Sequence, residues 1–432
     1  MANPVAVILA AGMSTRMNTM LPKVLHEVCG RPMLAYVLDA CRSVNVVTSY
    51  VVVGYGKEQV IDFYKDSSDV AFVEQTERKG TGHAVMCCRQ QLKDFHGPVL
   101  VLCGDAPLIR SETLKLLLEK HLSGKSAATL ATTILDDPTG YGRIVRDSYG
   151  NIQGIVEENE CNPEQKRIKE VNPSYYCFDS QVLLKVLDEI KPNNVKGEYY
   201  ITDALQLIIA QGLKAIAITA VAAEDCMGVN NRAQLSQVSK IMQERIQAEL
   251  MESGVTIVDP PNTWIDVRAQ IGQDTVIEPF TYIHGEVKVG RNCRIGPFAY
   301  LRDKTVIEDD VVLGVFTEVK DSHLHQGVRA RHHSYIGDAT IGKSVNVGAG
   351  SITANYDGQN ILQTQIGDGS FIGSGAVLIA PLTMQANSYV KPGTVVTQDD
   401  VPSLERTDRP KKKPTPAQRV KKNSIQTLER RG

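Results

Sequence analysis

Apolar residues follow two unlike rhythms along the chain. Before residue 255, apolar runs alternate with helical spacing. PVAVILAAG (4–12) reads as a strand entering a small-residue turn, SYVVVGYG (49–56) as a second strand and GPVLVLCGD (97–105) as a third. Met33–Cys41 and Lys79–Leu92 carry helical spacing between them. Strands alternating with helices predict a mostly parallel sheet covered on both faces. Ligands in such folds bind beyond the carboxyl ends of the strands, where Gly12, Gly104 and Asp105 lie. Leu235, Val238, Ile241, Met242, Ile246 and Leu250 then share one helical face, which predicts a linker helix ending near Gly254.

After it the rhythm changes to six. Ile265, Ile271, Ile277, Ile283, Val289, Ile295, Leu301, Ile307, Leu313 and Val319 recur at that period. Ile366, Ile372, Leu378, Met384, Val390 and Val396 resume it, with Gly directly behind several of them. Neither a strand (period two) nor a helix (period 3.6) explains sixteen such positions. A hexapeptide repeat builds a parallel β-helix, each six-residue side giving one aliphatic to the interior. The irregular stretch His323–Gln365, rich in His, Arg and Asn, is expected to bulge out of the coil and to carry function. From Arg406 the chain carries ten Lys or Arg against two acids and reads as a disordered basic tail. The layout expected is 1–229, a linker helix 230–254, a β-helix 255–400 and a tail 401–432.

Composition narrows the partners. In 432 residues, 47 basic and 49 acidic side chains leave a net charge of −2, no general pull toward nucleic acid or anionic membrane. Apolar runs such as Val5–Ala11 fall far short of the ~20 residues a membrane span needs. The N-terminus shows no basic stretch before an apolar core and no cleavage site, so no signal peptide is read and a cytoplasmic protein is expected. Of nine Cys, eight precede residue 230 and none forms CxxC, which suits buried thiols in a reducing compartment.

The chemistry-bearing motif is LAAGMSTRM (9–17) followed by PKVLH (22–26). A strand feeding a small-residue turn and then a helix can cradle phosphates with backbone N–H groups, and Arg16 and Lys23 add charge. With KGTGHA (79–84), GDAPL (104–108), DDPTGYGRIV (136–145), GIVEE (154–158), GEYYITD (197–203) and GVNNR (228–232), the first part resembles the nucleotide-sugar pyrophosphorylases. Together with the hexapeptide domain, nearly the full length resembles the bifunctional N-acetylglucosamine-1-phosphate uridyltransferase / glucosamine-1-phosphate N-acetyltransferase family.

That resemblance implies an α/β fold: a Rossmann-like nucleotidyltransferase domain followed by a left-handed parallel β-helix. It implies two reactions that make UDP-N-acetylglucosamine, a precursor of bacterial cell-wall polymers. One transfers acetyl from acetyl-CoA to glucosamine-1-phosphate. The other uses UTP and Mg²⁺ to uridylylate N-acetylglucosamine-1-phosphate, releasing pyrophosphate. By resemblance, Asp105 and Asn230 hold Mg²⁺, and Gly12 with Leu9, Ala10 and Ala11 receives the nucleotide. Arg16 and Lys23 then lie on the phosphates, Gln75 and the Gly80–Thr81 turn on uracil, and Gly142, Glu157, Asn172 and Tyr200 or Thr202 on the sugar.

In the second domain the resemblance makes His332 the base that takes the amine proton, a role worth ~10²–10⁴-fold. His333 stands beside it; strand alternation would turn the pair to opposite faces without choosing between them. Arg302 and Lys320 match the sugar-phosphate anchors, with Tyr335 and Asn346 beside them. Ala349, Asn355, Tyr356, Ser374 and Pro392 fall on the acetyl-CoA contacts, and Arg406 or Arg409 could reach the CoA phosphates. The implied assembly is a homotrimer with the acetyl site between subunits. The chain departs from the family at Ser14, Arg78, Cys103 and Pro173–Ser174, and Ile361 stands where a Lys is usual. A charge-assisted hydrogen bond is worth about 1.5–3 kcal/mol, so that loss predicts phosphate binding weakened about 10–100-fold. The alternatives weighed are a monofunctional pyrophosphorylase whose β-helix only oligomerises or regulates, and a non-catalytic regulatory subunit. Intact Arg16, Lys23, Asp105 and Asn230 argue against the latter.

Overall fold

The computed structural model describes residues 3–403 apart from 14, 193 and 195. The chain forms two compact units, Met1–Arg245 and a second from Ile246 onward. The helix Arg232–Glu252 crosses the division, and Val238, Met242 and Ile246 on its apolar face are buried.

The first unit is built on one twisted sheet. Its strand order is Val70–Glu74, Ser49–Val53, Val5–Leu9, Pro98–Cys103, Glu170–Asp179, Ala128–Ile134, Ala215–Thr219. Pairing is parallel except at Glu170–Asp179, which runs antiparallel to both neighbours. The strands are apolar on both faces because both are covered. Val5, Val7, Val99 and Val101 enter one core, while Ala6, Ile8, Leu100 and Leu102 enter the other. Chain order reverses between Val5–Leu9 and Pro98–Cys103, which opens a crevice beyond their carboxyl ends. Leu9 pairs with Cys103, and Gly104 N–H donates to the Leu9 carbonyl at 3.0 Å, so Ala10–Gly12 and Asp105 emerge side by side.

Two local expectations are corrected. No α-helix follows the LAAGMSTRM turn: two short 3-10 turns, Thr15–Met17 and Lys23–Leu25, occupy that place, and the first α-helix starts at Met33. Asn18 takes a left-handed φ of 48° and Pro22 removes a backbone donor, both hostile to a continuous helix. The pattern over Lys79–Leu92 splits into Thr81–Cys87 and Arg89–Leu92.

The second unit is a parallel β-helix with three sides per coil. Ile277 pairs with Ile295, Ile283 with Leu301 and Val289 with Ile307, each partner eighteen positions on. These side chains are buried and fill the interior. A Cβ on Gly314 would collide with the Arg331 carbonyl of the next coil, which explains glycine behind the inward aliphatic.

The stretch His323–Gln365 does not bulge as a whole. Leu324, Ala330, Ile336, Ile341, Val347 and Thr353 stay buried in paired strands and continue the interior columns. The period was hidden by two corners shortened by one residue (Val319 to Leu324, Ile336 to Ile341) and by small or polar inward residues, Ala330 and Thr353. Only one insertion leaves the coil, between the strands Ile352–Ala354 and Thr364–Ile366, closed by Leu362 N–H on Asn355 O at 2.7 Å.

Candidate active sites

The crevice of the first unit gathers the predicted phosphate and metal residues. Lys23 forms an ion pair with the Asp105 carboxylate, and its ammonium also donates to Asn230 Oδ1 at 3.3 Å. Arg16 donates to the same oxygen at 2.9 Å. Sequence places these four groups up to 214 positions apart; the fold brings them to one point. Asp105 and Asn230 thus present oxygen donors that already hold a cation, a set suited to a hard divalent ion.

Two hollows meet there. One, of about 330 Å³, is lined by Ala10, Ala11, Gly12, Gln75, Arg78 and Gly80. The other, of about 520 Å³, is lined by Gly142, Glu157, Asn172, Tyr200, Thr202 and Asn230. Leu9, Thr81, Cys103, Asp105 and Glu198 line both. The sequence-predicted base, phosphate and sugar residues therefore divide between two lobes of one cleft.

In the first lobe, Gln75 is buried, and its Nε2 bonds the Gly80 carbonyl at 3.1 Å and His83 Nδ1 at 3.0 Å. Gly80 has φ 103°, and a Cβ there would collide with the Tyr199 carbonyl. Lys79 O accepts Tyr199 N–H, Tyr199 O accepts Gly82 N–H, and Thr81 Oγ1 accepts Ile201 N–H. KGTG and EYYIT are thus laced together to form the wall between the lobes.

In the second lobe, burial pushes the Glu157 carboxyl above the ordinary carboxylate range, although Thr202 donates to it at 3.2 Å. Asn172 is buried, donates to the Tyr176 hydroxyl at 2.6 Å and accepts Ser174 N–H at 3.0 Å. The Pro173–Ser174 departure is accommodated by a left-handed Ser174, φ 67°. Cys103 lies between the lobes, and burial raises its thiol to about 12, which leaves it a neutral, weakly polar wall.

Sequence reasoning missed the residues behind these walls. Arg143 is fully buried and pairs with Glu158 at 2.7 Å, while Glu158 accepts Gly140 N–H at 3.1 Å. Both lie inside quoted motifs, and an arginine followed by two apolar residues within a strand was the available signal. Asp225 is buried between Arg110 and Arg245, and Arg245 also donates to the Leu108 carbonyl at 3.0 Å. This knot braces GDAPL from behind. Nothing local in the sequence announces it.

The second unit arranges its predicted residues in columns. Ala330 pairs with Val347, Val347 with Ile372 and Ile372 with Val390. Two positions on, His332, Ala349, Ser374 and Pro392 occupy the same place in four successive coils. Both His332 and His333 are exposed; neither turns inward. They fall at a corner, between inward Ala330 and Ser334, where strand alternation does not apply.

A second group lies at the next corner. Arg302, Lys320 and Gly337 are register partners. Arg302 pairs with Glu318 at 2.9 Å and Lys320 with Asp338 at 3.3 Å. Asn355 donates to Asp338 and, at 3.4 Å, to the Tyr335 hydroxyl. Asn346 pairs with Arg329 and Phe371 on the side before the His332 corner, so it is not brought to this group within one chain. Tyr356 and Ile361, facing each other across the inserted loop, are exposed. Ser14 and the basic tail with Arg406 and Arg409 lie outside the described residues.

A sheet whose switch-point crevice assembles a carboxylate, a carboxamide and two cations, carried in one chain with a hexapeptide solenoid, defines a two-part transferase. Comparison with known proteins agrees with both halves. A MobA-like NTP transferase domain model matches residues 6–155, and a bacterial transferase hexapeptide (six repeats) model matches residues 268–303. Curated proteins called "Bifunctional protein GlmU" match along the chain. The one from Geobacillus sp. (strain WCH70) is 42% identical, covering 92% of this chain and 93% of its own. The one from Caldanaerobacter subterraneus subsp. tengcongensis is 40% identical, covering 98% and 99%. The chain belongs to the family of the bifunctional protein GlmU, and it is a uridyltransferase and acetyltransferase enzyme.

Proposed function

We propose that the first unit joins UTP to N-acetylglucosamine-1-phosphate and the second acetylates glucosamine-1-phosphate from acetyl-CoA. The observation that carries the first half is the convergence of Arg16, Lys23, Asp105 and Asn230 where the two lobes meet. A sugar-phosphate oxygen attacks the α-phosphorus, and the bond to pyrophosphate breaks. The work of the protein is positioning and charge neutralisation. Arg16 and Lys23 neutralise phosphate oxygens. With its Nε2 spent on Gly80 and His83, Gln75 offers a carbonyl oxygen to the uracil imide N–H. Glu157 and Asn172 accept and donate to the sugar lobe. The oxygens of Asp105 and Asn230 suit Mg²⁺, which when bound supplies further positive charge to the triphosphate.

In the second unit, Arg302 and Lys320 anchor the sugar phosphate, and the column under His332 receives acetyl-CoA. His332 takes the amine proton as the C–N bond forms and the C–S bond breaks. The solenoid acts as a homotrimer. Phe280, Phe298 and Phe316 stack along the His332 corner at centroid distances of 4.8 and 5.1 Å, all exposed, a stripe suited to cover by a second copy. No described helix is long and apolar enough to cross a membrane, and all nine cysteines are free, which supports a reducing, cytoplasmic setting.

Two assays test this reading. The protein should release pyrophosphate from UTP only with Mg²⁺ and N-acetylglucosamine-1-phosphate. It should release free thiol from acetyl-CoA only with glucosamine-1-phosphate. Pyrophosphate release without thiol release would leave the β-helix an oligomerising element.

A further inference from the structure

The third side of the solenoid carries a cluster that neither transfer reaction uses. Val306 pairs with His323 and Ile307 with Leu324 in successive coils. Ile307 and Leu324 point inward and are buried, so the residues flanking them face out. His323 and His325 thereby stand on one outer face, opposite Glu308 of the previous coil. Glu308 Oε1 is 3.0 Å from His323 Nε2 and 2.8 Å from His325 Nδ1, and the two rings lie 4.2 Å apart.

We propose that Glu308, His323 and His325 bind a divalent first-row transition-metal ion of the zinc class, which clips two coils together. All three donor atoms lie within 4.8 Å of one another. Metal–ligand distances of about 2.0–2.2 Å in a tetrahedral site place donor atoms roughly 3.3 Å apart. The two carboxylate–imidazole distances therefore need to lengthen by only a few tenths of an ångström. Two imidazoles and one carboxylate favour zinc, cobalt, nickel or copper over magnesium, which prefers all-oxygen ligands. The carboxylate is already aimed: Glu308 Oε2 accepts Gln326 N–H at 2.9 Å, and Gln326 donates to Asp310 at 2.8 Å. Outer partners of this kind hold a ligand in its binding orientation. Three protein ligands leave a fourth position for water.

The test is Zn²⁺ binding to the full chain by equilibrium dialysis, with Mg²⁺ in excess to occupy all-oxygen sites. The wild type is expected to bind one more equivalent of Zn²⁺ than the doubly substituted His323→Ala, His325→Ala protein. Zinc should also raise the melting temperature of the wild type but not of that variant. Glu308→Gln, which keeps both imidazoles, should weaken binding at least tenfold. Equal stoichiometry in wild type and double variant would overturn the site, as would unchanged affinity in Glu308→Gln. Acetyl transfer, measured on each variant, reports that the solenoid has folded, since none of these three residues is among those placed at the acetyl site.

Discussion

The two units build sites by opposite means. In the sheet unit, residues far apart in sequence meet at one crevice because strand order reverses there. Arg16, Lys23, Asp105 and Asn230 need nothing outside that unit to come together. In the solenoid, equivalent positions recur along columns, and His332 and the Arg302–Lys320 pair sit at neighbouring corners. A crevice is complete in one fold. A column is a surface, and a surface becomes a pocket when something covers it.

The largest predicted effects would break this contrast if they failed. His332→Ala should lower acetyl transfer by about 10²–10⁴-fold, the worth of a general base, and leave uridyl transfer unchanged. Phe298→Asp places a charge in the exposed phenyl stripe. It should convert the proposed trimer to smaller species in light scattering, with acetyl transfer lost and pyrophosphate release kept. If both activities fell together, the crevice would depend on assembly as much as the column does.

The next effect concerns stability. Asp225 is buried between Arg110 and Arg245. Asp225→Ala leaves the largely buried Arg245 without its carboxylate and Arg110 with Glu224 alone, and should destabilise the first unit by about 3 kcal/mol. In urea, the transition followed by uridyl transfer should shift while that of the solenoid stays in place.

The same contrast explains what could be read from the sequence. In the sheet unit the motifs lie at strand ends, so their residues could be named, but not their contacts. Lys23 was expected on phosphate and is found on Asp105 and Asn230. The period of six exposed the solenoid interior wherever the inward residue was aliphatic. It failed at Ala330 and Thr353 and at two shortened corners, where register depends on pairing with the neighbouring coil. The knot at Asp225 and the brace of Arg143 on Glu158 were invisible because burial of a charge is a tertiary fact.

A smaller effect is expected at the inserted loop. Ile361 is exposed beside Tyr356. Ile361→Lys restores a charge-assisted donor and should lower KM for glucosamine-1-phosphate about tenfold, with kcat little changed. A fall in kcat instead would mean that the loop acts on acetyl-CoA rather than on the phosphate.

The smallest effect is the most discriminating, because binding and stability should move in opposite directions. Burial raises the Glu157 carboxyl above its ordinary range, so the folded protein holds its proton more tightly than the unfolded chain does. In the proposed role of acceptor for sugar hydroxyls it works ionised. KM for N-acetylglucosamine-1-phosphate should therefore begin to rise at a higher pH, on acidification, than an ordinary carboxylate would allow. Glu157→Gln should weaken sugar binding at neutral pH and flatten that profile. On stability the sign reverses. A carboxyl whose pKa is raised on folding costs stability once ionised, fully above the folded value and not at all below the unfolded one. Glu157→Gln should thus be more stable than the wild type at neutral pH, and the difference should vanish as pH falls below the unfolded carboxyl range. A variant weaker in binding and also less stable at neutral pH would place Glu157 in the scaffold of the sugar lobe rather than on the sugar.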